Sequence, residues 1–205
     1  INVEADIPVL ERCLRECRVA FLYAPRLHPA MRHAAPVRKA LGIRTIFNLV
    51  GPLTNPAGAP RQLMGVSRPD LVETMTSALA ELGAERALVV HGRDGLCDLS
   101  ISAPTIVGRW DGRQVTFEEV RADALGVTTA PLQAVFVGSP QESAGVIQAV
   151  LAGAAGPARE MVVLNAAAAL WVAGLVGDWA EGVNRARTAL ADGSAAGVLA
   201  RWREI

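Results

Sequence analysis

The run ERALVVHGRDGLCDLS, residues 85–100, decides the fold. Its apolar core, Ala87 to Val90, ends in a glycine-rich loop that carries Asp94 and then Cys97 and Asp98 side by side. A short continuous apolar run bounded by turn residues reads as a strand buried on both faces, and so as a parallel strand covered by helices. Loops that leave the carboxyl ends of such strands are where α/β proteins place their chemistry. This loop presents acidic groups, yet sets a thiol beside one of them.

The flanking segments supply the rest of an α/β pattern. Leu63 to Val66 reads as a second strand, and Asp70 to Leu82 as the helix between the two, with Asp70 near its start and Gly83 at its end. On the other side, Thr105 to Trp110 and Gln114 to Phe117 flank the Asp111–Gly112 pair and read as a hairpin. From Ser143 onward the chain is alanine-rich and helical, over roughly 143–152, 158–173, 178–191 and 194–203, which predicts close helix packing. Toward the N-terminus, Asp6 caps an amphipathic helix to Cys17 with Pro8 in its first turn. Val19 to Tyr23 reads as a short strand, Pro29 to Leu41 as a helix ended by Gly42, and Thr45 to Val50 as a short helical turn. GPLTNPAGAP, residues 51–60, has three prolines and two glycines and reads as a shaped loop. Strands that alternate with helices predict a parallel sheet with helices on its faces.

Composition narrows the class. The 205 residues are 51% hydrophobic, enough for a sizeable core, and Lys+Arg and Asp+Glu both number 20. Zero net charge with no basic stripe speaks against nucleic acid and against an acidic membrane surface as partners. No apolar stretch reaches the length of a bilayer span. The first residues, INVEADIPVL, have no basic region leading an apolar core and so do not read as a signal peptide, and with no initiator Met the chain reads as a fragment or as lacking its first part. Three cysteines in no framework spacing fit a reducing cytoplasm. Cys13 and Cys17 share a helix face, either as two small core residues or as half of a metal site.

Several side chains could carry chemistry. HPAMRHAAPVRKALG, residues 28–42, holds His28, Arg32, His33, Arg38 and Lys39. Arg38 would suit a carboxylate if its face meets a cleft, and would otherwise solvate a surface. His28, before Pro29, is either a cap or a site residue. His91 ends a strand, where it faces either a site or solvent. Asn48, Gly51, Pro52, Thr54, Asn55 and Pro56 form a rigid punctuation suited to walling a pocket. Asp94 reads as a turn residue before Gly95, with a metal-ligand role as the alternative.

FLYAPRLHPAMRHAAPVRKALGIRTIFNLVGPLTNPAGAPRQLMGV, residues 21–66, resembles the core of the anthranilate phosphoribosyltransferase family, and ERALVVHGRDGL and VVLNAAAAL continue the match in order. The resemblance implies transfer of phosphoribosyl from phosphoribosyl pyrophosphate to the amine of anthranilate, a step of tryptophan synthesis, in a cytoplasmic homodimer that uses Mg2+. It implies Arg38 as the anthranilate-carboxylate residue, with His28 and Pro52 lining the tunnel for that acid. Family members end the 85–100 run in DGLDE, whose last two carboxylates hold magnesium; here those positions are Cys97 and Asp98. Magnesium favours hard oxygen donors, and a thiol is soft, so Cys97 predicts weakened metal binding or drifted activity.

The family's GTGGD loop and KHGN segment, which bind the phosphoribosyl pyrophosphate, do not occur in this sequence. The resemblance therefore implies that residues 1–205 are a C-terminal α/β portion whose activity alone is doubtful. The expected fold is α/β, with a mixed, largely parallel sheet flanked by helices and an incomplete small helical domain toward which residues 28–52 cross. Two other functions stay open: a diverged transferase acting on another aromatic acid, and a non-catalytic homologue that binds a ligand or nucleic acid.

Overall fold

A computed structural model describes residues 1–28, 36–37, 40–42 and 47–205. The chain divides into two compact units, residues 1–59 with 195–205, and residues 60–194.

In the first unit, helix α1 (Ile7–Cys17) starts as the sequence predicts. Asp6 accepts a hydrogen bond from the Val9 amide at 3.2 Å and satisfies one of the donors a helix start leaves open. Leu10, Cys13 and Cys17 recur at helical spacing and are all buried, so both cysteines are core residues. Val19 to Tyr23 is not a strand; helix α2 (Ala24–Leu27) follows directly. A strand needs a neighbour for its backbone groups, and among the described residues nothing pairs with this run. Helix α3 (Phe47–Leu53) runs three residues further than the expected turn and takes Gly51, Pro52 and Leu53 out of the loop. Thr54 closes it by donating to the carbonyls of Val50 and Gly51 at 3.3 and 3.0 Å. Of the predicted helix from Pro29 to Leu41, residues 36–37 and 40–41 are helical and the rest lies outside the described residues.

The second unit is built on a mixed sheet of four strands among the described residues, in the order β1-β2-β3-β4. They are β1 (Arg61–Gly65), β2 (Arg86–Gly92), β3 (Thr105–Trp110) and β4 (Val115–Val120). β1 and β2 are parallel, with Leu63 opposite Leu88, and β3 and β4 add antiparallel pairings. The parallel share of the sheet, among the described residues, is thus the β1–β2 pair. The hairpin fixes the β3–β4 pairing as antiparallel, because a tight turn joins only antiparallel neighbours. Asp111 makes that turn by accepting from the amides of Arg113 and Gln114 at 2.8 and 2.9 Å, and Gly112 adopts φ +92°.

Helix α4 (Leu71–Glu81) connects β1 to β2 and covers one face of the sheet. Its approach fixes a glycine, since a Cβ on Gly108 of β3 would stand 2.1 Å from the Thr76 hydroxyl. Asp70 does not cap α4; its carboxylate pairs with Arg68 at 2.6 Å. Three helices follow, α5 (Pro140–Leu151), α6 (Pro157–Val172) and α7 (Trp179–Ala191). Helix α6 packs on β1 and β2 from the opposite face, where Arg86 and Arg109 stack over the Trp171 ring at 4.3 and 4.4 Å. Helices α6 and α7 cross through small residues. A Cβ on Gly182 would stand 2.9 Å from the Ala167 Cβ, which is the close packing the alanine-rich sequence predicts. Helix α8 (Ser194–Trp202) ends the element order and from Ala195 onward belongs to the first unit. Ala87 to Val90, sandwiched between helices, are 0–1% exposed and form the centre of the core with Leu79, Leu99, Val107 and Leu164.

Candidate functional site

The β2–β3 connection, residues 93–104, leaves the carboxyl end of β2 beside the carboxyl end of its parallel neighbour β1. Three sets of contacts fold it tightly. Asp94 holds its near end: one carboxylate oxygen accepts from the Leu96 amide at 3.3 Å, and the other from the Ser100 hydroxyl at 2.6 Å and from the Ser102 hydroxyl. Partial burial pushes the Asp94 carboxyl upward, but the two hydroxyl bonds and the amide outweigh it and hold the group below the usual carboxylate range. Both oxygens are therefore engaged within the loop, and Asp94 serves as its turn residue.

The second contact is backbone against backbone. A Cβ on Gly65, the last residue of β1, would stand 1.6 Å from the carbonyl oxygen of Cys97. Only a glycine admits the loop this close. The third comes from α6, where the Asn165 carboxamide accepts from the Leu99 amide at 3.0 Å and donates to the Leu99 carbonyl at 2.9 Å. Between these clamps the chain crosses from solvent to interior in one step: Cys97 and Asp98 are exposed, while Leu99, Ser100 and Ile101 are buried. Among the described residues no hydrogen bond or ion pair engages the Asp98 carboxylate.

Among the described residues no group of three or more His, Cys, Asp and Glu side chains could enclose a metal. Asp98 still suits magnesium, which is commonly held by one or two carboxylates with the remaining oxygens from water and substrate phosphate. Cys97 offers a soft sulfur, a poor donor for magnesium.

The other predicted residues are placed as follows. His91 faces neither a site nor solvent. It is buried, and its Nδ1 donates to the Val66 carbonyl at 2.9 Å, tying β2 to the residue after β1. His28 is the C-cap of α2, with its amide donating to the Ala24 carbonyl at 3.0 Å. Pro52 is exposed within α3. Arg38, with Arg32, His33 and Lys39, lies outside the described residues. Sequence reasoning missed Gly65 and Asn165, because the contacts that give them meaning cross to residues 32 and 66 positions away.

This clamped acidic loop belongs to a chain that matches, over residues 1–196, the family described as "Glycosyl transferase family, a/b domain". The chain belongs to that family. Among relatives of this glycosyl transferase chain, the anthranilate phosphoribosyltransferase of Paracidovorax citrulli is 45% identical over 207 residues, covering 100% of this chain and 59% of the relative. That of Symbiobacterium thermophilum is 48% identical, covering 100% and 60%. The chain thus spans about three-fifths of the length of the curated relatives it matches. The crystal structure of anthranilate phosphoribosyltransferase from Thermus thermophilus superposes with TM-score 0.92 at 40% identity, over 98% of this chain and 60% of that one. The Saccharomyces cerevisiae enzyme in complex with PRPP and Mg shares the fold, with TM-score 0.88 at 24% identity over 98% of this chain and 58% of that one.

Proposed function

We propose that the protein carrying this chain transfers the phosphoribosyl group of phosphoribosyl pyrophosphate to the amine of anthranilate and releases pyrophosphate. The observation that carries this reading is the exposed Asp98 on a clamped loop at the carboxyl ends of β1 and β2, in a chain similar along its whole length to proteins named for that activity. In the reaction the sugar's bond to pyrophosphate oxygen breaks, a bond from the same carbon to nitrogen forms, and the amine sheds a proton. Magnesium, when bound, offsets the charge that gathers on the leaving pyrophosphate. Asp98 holds that ion, with Cys97 in place of a usual carboxylate. Arg38 binds the carboxylate of anthranilate through its fork of donors, and His28 and Pro52 line the route of that acid. Orientation of the amine, rather than its activation, is what the acceptor side contributes. Residues 1–205 act as the C-terminal portion of a cytoplasmic homodimer in tryptophan synthesis, with residues 28–52 crossing toward a helical domain.

The fluorescence of anthranilate tests this reading. In the protein that carries this chain, the signal should decay with phosphoribosyl pyrophosphate and Mg2+, and Asp98→Asn should slow it. Arg38→Ala should raise the KM for anthranilate about 30-fold or more, as expected for loss of a charge-assisted pair, while sparing the KM for the pyrophosphate substrate. Turnover of a different aromatic acid, or binding without turnover, would overturn the assignment.

A further inference from the structure

We propose that Asn165 is a positioning residue for the metal-holding carboxylate: through α6 it fixes the backbone next to Asp98. The inference rests on the function proposed above. Asn165 engages both backbone groups of Leu99, and its remaining amide proton goes to the Met161 carbonyl at 3.0 Å within its own helix. That last bond sets the plane of the carboxamide, so the pair of bonds to Leu99 has one geometry. Leu99 is fully buried, so in the native fold its backbone amide and carbonyl meet the Asn165 carboxamide rather than bulk solvent. The helix that carries Asn165 is itself immobilised, with Val163, Leu164, Ala167 and Trp171 all buried and Trp171 stacked under two arginines.

Asp98 is therefore the residue next to an anchor, and the residue before it, Cys97, rests against Gly65. Two fixed points flank the exposed carboxylate at a spacing that leaves its backbone little freedom. Magnesium tolerates little deviation from octahedral geometry. Partners one shell out from a metal ligand are correspondingly worth about 10- to 100-fold in affinity. The carboxamide is suited to this because it donates and accepts at once. A carboxylate in its place would still accept from the Leu99 amide but would set its other, negative oxygen against the Leu99 and Met161 carbonyls.

The test reads metal binding rather than turnover. Mn2+ is titrated into the protein in the presence of inorganic pyrophosphate and followed by electron paramagnetic resonance, for the unaltered protein, Asp98→Asn, Asn165→Asp and Asn165→Ser. Asp98→Asn should weaken Mn2+ binding, and both Asn165 variants should weaken it about 10-fold or more while remaining folded by circular dichroism. Loss in Asp98→Asn with unchanged affinity in the folded Asn165 variants overturns the positioning role and leaves the proposed function standing. Unchanged affinity in Asp98→Asn removes the proposed function and the positioning role with it. If neither Asn165 variant folds, amide exchange in the unaltered protein decides. A Leu99 amide as protected as those of β2 supports the role, and one exchanging like an exposed loop amide overturns it.

Discussion

Asp94 and Cys97 sit three residues apart in one loop and owe their roles to different physics. Asp94 is ionised more readily in the native loop than in an unfolded chain, because the Ser100 and Ser102 hydroxyls and the Leu96 amide stabilise its charge against the upward push of partial burial. A carboxyl lowered on folding contributes stability that is fully present above its ordinary value, about 3.9, and that is lost as pH falls through the lowered native value. Asp94→Ala should therefore cost about 1–3 kcal/mol at neutral pH, by urea unfolding, and the difference from the unaltered protein should shrink below pH 4. A gap that persists in acid would mean that packing rather than charge is at stake. Cys97 is a matter of donor type. Restoring an oxygen ligand with Cys97→Asp should lower the Mg2+ concentration that half-saturates turnover, and an unchanged requirement would mean that the position does not touch the metal.

Elements in this molecule are placed by small residues and by caps. Gly65 ends β1 where Cys97 passes. Gly65→Ala must move backbone rather than a flexible side-chain tip, so it should lower the melting temperature and weaken Mn2+ binding together. A loss of stability with full metal affinity would separate the β1 contact from the site. Helix α7 shows the capping logic. Asp178 accepts from the Glu181 amide at 2.8 Å, and Glu181 reaches back to the Gly177 amide at 2.8 Å. Asp178→Ala should cost about 1 kcal/mol in unfolding free energy and leave Mg2+ dependence untouched.

For the molecule as a whole, stability centres on the sheet and the two helices that cover it. Leu164 on α6 is 1% exposed, and Leu164→Ala should cost about 2–5 kcal/mol by chemical denaturation, more than loss of the Asp178 cap. Much of this architecture was legible in the sequence. The buried strand at Ala87 to Val90, the Asp111–Gly112 hairpin, the Asp6 cap and the late helices all follow from local pattern: apolar periodicity, turn chemistry and capping each act over a few residues. That Cys97 and Asp98 stand on the loop after this strand was legible for the same reason. Tertiary structure decided what depends on partners far along the chain. Val19 to Tyr23 has strand composition but, among the described residues, no ladder to join, Asp94 takes the Ser100 and Ser102 hydroxyls as partners, and His91 spends its ring on Val66. Gly65 and Asn165 look ordinary in sequence and acquire their roles only where β1 and α6 meet the loop. Periodicity and caps are short-range properties that a sequence states directly, whereas close approach and hydrogen-bond satisfaction exist only once distant segments share a surface.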